Sequence, residues 1–287
     1  MTPAISFALI SLAAAGCLDV TFKRFSLKER SRGMYVFGCG TVWLKLQLIY
    51  FLMNDVHVEF DQATIIYGVI TGTVLVLANI LLIESLTGLD VGLGSMIYRL
   101  NTIGVVLISF FILSEDLSFL KVAGIVIGIV SVSLLYERSD PENDVISTPL
   151  LLLILAVIAS VFRALYGVGT KFALEDGANA EGMLLIAATS WIVFGLLYAA
   201  LREQRVRLTG KKVAYSLISG TLGFIVVNAL IAALKIGEAS VVVPVANLSF
   251  AVALMISFGL GMESLGHRKF LAVGFAAISV FLLAQTG

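Results

Sequence analysis

The sequence predicts an all-α integral membrane protein: ten transmembrane helices, arranged as two inverted five-helix repeats around a central cavity. Three observations lead there. Of 287 residues, 59% are hydrophobic and only 13% charged, and mean hydropathy is +1.03, whereas a soluble domain carries about a quarter charged residues. Ten windows are apolar over the roughly 20 residues a helix needs to cross a hydrocarbon core. The polar, proline-marked stretch ERSDPENDVISTP divides them five and five.

The windows cover 5–22, 34–53, 63–83, 91–113, 118–136, 149–170, 181–200, 213–234, 240–260 and 268–285. Backbone groups in lipid must be satisfied within each segment, so a helical bundle follows. The first window, within MTPAISFALISLAAAGC, lacks the basic flank of a signal peptide and reads as a retained helix. Residues 1–138 then form the first repeat, 139–148 a linker and 149–287 the second repeat. Acidic and basic residues balance at 19 each, so net charge points to no nucleic-acid partner. Cys17 and Cys39 sit in apolar stretches without metal spacing, which argues against a disulfide framework.

The halves resemble each other. A shift of 148 places Lys23 on Lys171, Glu115 on Glu263, Lys121 on Lys269 and Ser131 on Ser279. A shift of 149 places Asn79 on Asn228 and Gly88 on Gly237. With five spans per repeat, the second half enters from the opposite side, an arrangement typical of transporters that bind substrate at the midplane. Loop charge agrees: KRFSLKERSR and REQRVRLTGKK fall on one face, and the other face holds only Lys121, Lys171 and Lys235. The positive-inside rule makes the basic face cytoplasmic and puts both termini outside.

SEDLSFLKVAGIVIGIVSVSLL (114–135), MESLGHRKFLAVGFAAISVFLL (262–283) and NALIAALKIGEASVVVPVANLSF (228–250) resemble the EamA-like, ten-helix branch of the drug/metabolite transporter superfamily. The resemblance covers nearly the whole chain and implies a transporter whose spans 4 and 9 wall a central cavity, with spans 1, 3, 6 and 8 around them. It also implies cytoplasmic termini, the reverse of the loop charges. SMIYRLNT departs from the proline-bearing, apolar sequence usual in span 4.

Ionisable groups inside spans are costly and usually face the bundle interior. Here they are Asp19, Lys45, Glu84, Arg99 and Arg163. Arg99 shares a helical face with Ser95 and Thr102 and aligns with Asn247 of span 9, near Pro244. Arg163 lies mid-span beside Ser160, Tyr166 and Gly167, and no acid of its own half occupies a span interior. It is the best single anion contact. Arg99, Arg163, Asn79, Asn228, Asn247, Tyr98 and Tyr166 are therefore candidate substrate contacts, and Asp19, Glu84 and Lys45 candidate gating or coupling groups. Each has a structural reading: Arg99 bridging Asp19 or Glu84, Arg163 snorkelling, the asparagines tying helices together, and the tyrosines packing. The glycine-bearing stretches match no phosphate-binding spacing, and the sequence carries no catalytic constellation, metal cluster or cofactor motif.

These features predict a secondary transporter of a small polar metabolite with an anionic group: an amino acid, an organic acid or a phosphorylated compound. Its expected partners are that small molecule and the lipid bilayer of a cell (inner or plasma) membrane. A monomer suffices, and a homodimer is compatible. The alternatives are an exporter of hydrophobic drugs or a lipid-carrier flippase of the same fold, and, outside transport, a membrane scaffold.

Overall fold

A computed structural model describes residues 2–26, 31–85, 101–134, 150–204, 206–207, 209–261 and 266–286. Among these the chain is helical throughout, with no strand. The helices are α1 (Pro3–Ser26), α2 (Arg32–Met53), α3 (Gln62–Ser85), α4 (Asn101–Ile112), α5 (Phe119–Ser133), α6 (Leu150–Glu175), α7 (Ala180–Leu201), α8 (Gly210–Ile236), α9 (Ala239–Asn247), α10 (Ser249–Gly259) and α11 (His267–Leu283). Among the described residues seven stretches are long and apolar enough to span a bilayer, and α4 and α5 are shorter apolar helices. Sequence and local chemistry set the ends. Ser31, Ser118, Asn179 and Thr209 each accept a bond from the backbone three residues on, capping α2, α5, α7 and α8.

Span 9 is not the continuous helix expected over 240–260. It breaks at Leu248 into α9 and α10. Pro244 has no N–H to give the Ser240 carbonyl. The joint tightens instead, with Leu248 donating to Val245 at 3.1 Å and Ala251 to Leu248 at 3.0 Å.

The halves interleave. The packings of α1 with α8, α3 with α6, α2 with α7, α4 with α9 and α5 with α11 each join one half to the other. Contacts recur under the 148-residue shift. Ser131 Oγ donates to the Ala272 carbonyl at 2.5 Å, and its equivalent Ser279 Oγ to the Gly124 carbonyl at 2.7 Å. Gly104 abuts Ala164, and their equivalents Val252 and Gly16 abut each other. Trp43 meets its own equivalent, Trp191, edge to face at 6.2 Å. A pseudo-two-fold axis therefore passes between α2 and α7, between α5 and α11, and beside the Leu248 break. An axis relating inverted repeats lies in the membrane plane, so that break sits at the bilayer midplane.

Glycine permits the close crossings. A Cβ on Gly33 would lie 2.4 Å from the Ala199 nitrogen, and one on Gly195 would lie 2.4 Å from the Phe37 nitrogen. Small residues let backbones approach where no hydrophobic force drives helices together. Large exposed side chains, among them Phe111, Phe119, Leu150 and Phe270, form the outer surface that lipid covers. The serine pair gives a first prediction. Ser131→Ala and Ser279→Ala should each lower stability by about 0.6–1 kcal/mol, the usual worth of an interhelical bond in a membrane. Their effects should be equal within error in detergent unfolding, because the bonds are symmetry mates.

Candidate functional site

The site is built on the broken span. At the midplane Asn247 Nδ2 donates to Asn101 Oδ1 at 2.5 Å and to Thr102 Oγ1 at 3.1 Å, joining the end of α9 to α4. A narrow cleft opens beside this junction, with Thr102, Asn247 and Ser279 as its polar residues and Ile125, Ile129 and Pro244 among its apolar ones. Just past the break, Ser249 Oγ donates to Asp19 Oδ2 of α1 at 3.2 Å. The half-helix end thus presents amide, hydroxyl and carboxylate groups within one turn of the midplane.

Arg163, itself half-buried, shares a helical face of α6 with the buried Ser160, Gly167 and Thr170. Its guanidinium carbon stands 5.4 Å from the centroid of the Tyr166 ring, a cation–π contact. Among the described residues no carboxylate forms an ion pair with it. α6 packs against α3, α4, α8 and α9, so the arginine belongs to the helix set around the break.

The other predicted residues fall in different settings. Arg99 and Tyr98 lie outside the described residues. Asn228 forms a reciprocal amide pair with Gln47, donating at 2.8 Å and accepting at 3.0 Å, and Trp43 Nε1 adds a bond to Gln47 at 3.2 Å. This fully satisfied knot joins α2 to α8. Asn79 Nδ2 donates to the Leu75 carbonyl of its own helix at 2.8 Å. Tyr166 is buried, and its hydroxyl has no hydrogen-bond partner among the described residues. Lys45 is exposed on the outer surface of α2. Glu84 accepts from Tyr198 at 2.5 Å, Arg32 at 3.2 Å and Arg202 at 3.3 Å, tying α3 to the opposite half on the basic face.

Two cross-half fastenings escaped sequence reasoning. On the face that carries the termini, the buried Glu115 carboxylate accepts the Ala239 and Ser240 amides at 2.7 and 2.9 Å, capping α9. Ser114 takes a left-handed backbone (φ 54°) that aims the turn there. Buried Lys121 pairs with Glu238 beside it. On the basic face, Glu203 accepts the Ser31 hydroxyl at 2.5 Å and the Arg32 and Gly33 amides at 2.8 and 3.2 Å, capping α2. The repeat alignment of Glu115 with Glu263 was a usable signal for the first. Glu203, inside a basic loop, offered none.

The EamA-like transporter family model matches residues 2–137 and again 150–285, nearly the whole chain in two copies. The chain belongs to the EamA-like transporter family. It is accordingly a multi-pass membrane transporter of the drug/metabolite superfamily. A solved crystal structure aligns to this EamA chain with TM-score 0.84, over 99% of this chain and 96% of its own, at 14% identity. That likeness concerns the fold alone. No curated protein matches.

Proposed function

We propose that this EamA-family protein is a secondary transporter of a small polar metabolite with an anionic group: an amino acid, organic acid or phosphorylated compound. The observation that carries the reading is Arg163, a half-buried guanidinium that shares a helical face with buried Ser160, Gly167 and Thr170 and has no carboxylate partner among the described residues. A charge in the hydrocarbon region costs about 2.5–3.5 kcal/mol on insertion scales, and such residues mark substrate paths. An anionic ligand would supply the missing partner with charge-assisted hydrogen bonds. The half-helix end at Leu248, with Asn247 and Ser249, offers polar groups for the rest of the ligand.

Alternating access is supported by fastenings across the halves on both faces: Glu115 on α9 at one, Glu84 and Glu203 at the other. Releasing one set while keeping the other opens the path to one side. Asp19, bonded beside the break, is the group placed to couple that motion to a proton. The basic face is cytoplasmic, the membrane is the inner or plasma membrane, and one chain encloses the whole path.

The test is a thermal-shift screen of purified protein against carboxylates, amino acids, phosphates and cationic drugs, followed by flux in liposomes. Anions should raise the melting temperature, since a ligand bound to the native state stabilises it. Stabilisation by cationic drugs alone would favour a drug exporter, and absence of flux with every ligand class would favour a scaffold.

A further inference from the structure

We infer that the lipid-facing side of α2 is a docking surface for a transmembrane segment of another protein, one that carries an aspartate or glutamate at mid-span and pairs it with Lys45. Lys45 is exposed on α2. Among the described residues no hydrogen bond or ion pair engages it. The inference goes beyond the transport reading and does not rest on it.

Depth makes this exposure costly. Trp43 and Trp191 meet across the pseudo-two-fold axis, which puts Trp43 at the bilayer midplane. Lys45 is two residues further along the helix, about 3 Å from that plane at 1.5 Å per residue. The hydrocarbon core extends about 15 Å to either side. Side chains on a helix lean toward its N-terminus, which for α2 is the basic face. The stem of Lys45 therefore runs back across the midplane, away from the nearer headgroups. A four-carbon stem does not cover that distance.

Repeat symmetry identifies the position as one that faces lipid. The 148-residue shift places Lys45 on Val193 of α7, which is 46% exposed. Leu48 and Ile49 fall on Leu196 and Leu197, and all four are exposed as well. The three positions are apolar in α7, as lipid requires, whereas α2 sets a cation among them. A charge at such depth is rare without a partner.

Charge complementarity selects the occupant. Lipid phosphates stay at the headgroups, out of reach. A second copy of this chain offers no acid at this depth. Among the described residues the exposed acids are Asp55, Glu59, Asp61, Asp116, Glu175 and Asp176, all in loops or at a helix end on the face that carries the termini. The second copy's own Lys45 would also repel. A carboxylate inside another membrane span meets the ammonium at its own depth, and each offsets the desolvation of the other. Leu48 and Ile49 supply apolar surface on which such a helix packs.

The probe is a poly-leucine transmembrane peptide with one central glutamate and a dansyl group, reconstituted with the protein in phosphatidylcholine vesicles. Trp43 and Trp191 are the chain's two tryptophans, and Trp43 lies two residues from Lys45, so energy transfer from them to dansyl reports docking. The expected result is saturable transfer with the glutamate peptide, above that of peptides with central glutamine or leucine. It should be lost in Lys45→Leu and kept in Lys45→Arg. Lys45→Leu should melt in detergent at or above the wild-type temperature, which separates loss of docking from loss of fold. Equal transfer from the wild type to the glutamate and glutamine peptides overturns the inference and leaves Lys45 to lipid and water. So does transfer that survives in Lys45→Leu. Self-crosslinking of Lys45→Cys, with Cys17 and Cys39 replaced by serine, would give the face to a second copy and overturn it too.

Discussion

Arg163→Ala is expected to weaken binding of the transported anion strongly while leaving the protein folded and at least as stable. A hydrogen bond to a charged group is worth about 1.5–3 kcal/mol, so losing it should weaken binding roughly ten- to a hundredfold. Meanwhile the variant removes a charge that has no ion partner among the described residues and that costs about 2.5–3.5 kcal/mol within a span. Melting temperature without ligand should therefore hold or rise, and the ligand-induced shift should vanish. Arg163→Lys, which keeps the charge but not the planar fork, should restore part of the affinity. Binding and stability moving in opposite directions distinguishes a ligand contact from a structural bridge, whose removal lowers both.

The largest effect on folding is expected at Gly195→Ala. Its new methyl would sit 2.4 Å from the Phe37 nitrogen, 2.9 Å from the Phe37 Cα and 3.0 Å from the Gly33 oxygen. All three are backbone atoms, so no side chain can turn aside, and α2 must separate from α7. Overpacking costs about 1–3 kcal/mol even where neighbours can adjust, and more is expected here. Yield of monodisperse protein in detergent should collapse. Gly223→Ala on α8, with nothing within 4 Å, is the control and should behave as wild type.

Much of the fold is legible in the sequence, because span length and apolarity are local properties. Each predicted window is helical to within a few residues where the chain is described, the window 240–260 as two helices rather than one. The repeat shift of 148 was readable from Ser131 and Ser279, and the structure gives those two residues equivalent bonds, to the Ala272 and Gly124 carbonyls. Trp43 and Trp191 stand at the same spacing and touch across the axis, yet two tryptophans in apolar sequence carry little weight before their contact is known. What could not be read is which helices become neighbours. Gln47 is 181 residues from Asn228, and nothing in either span announces that they share one amide pair. Pro244 marked a weak point in span 9, but the break falls four residues later, where the axis and the Asn247 bonds to α4 lie. For Arg163 the sequence could note that its own half holds no span-interior acid. Whether an acid of the first half reaches it depended on packing.

The account turns on Arg163 facing a water-filled path between the repeats. The most direct measurement is labelling of Arg163→Cys in a background with Cys17 and Cys39 replaced by serine, using a membrane-impermeant thiol reagent on proteoliposomes. The account predicts labelling from the aqueous phase, slowed by whichever anion stabilises the wild type. Labelling only by a lipid-soluble reagent, unaffected by any anion, would place the side chain in the bilayer and contradict it.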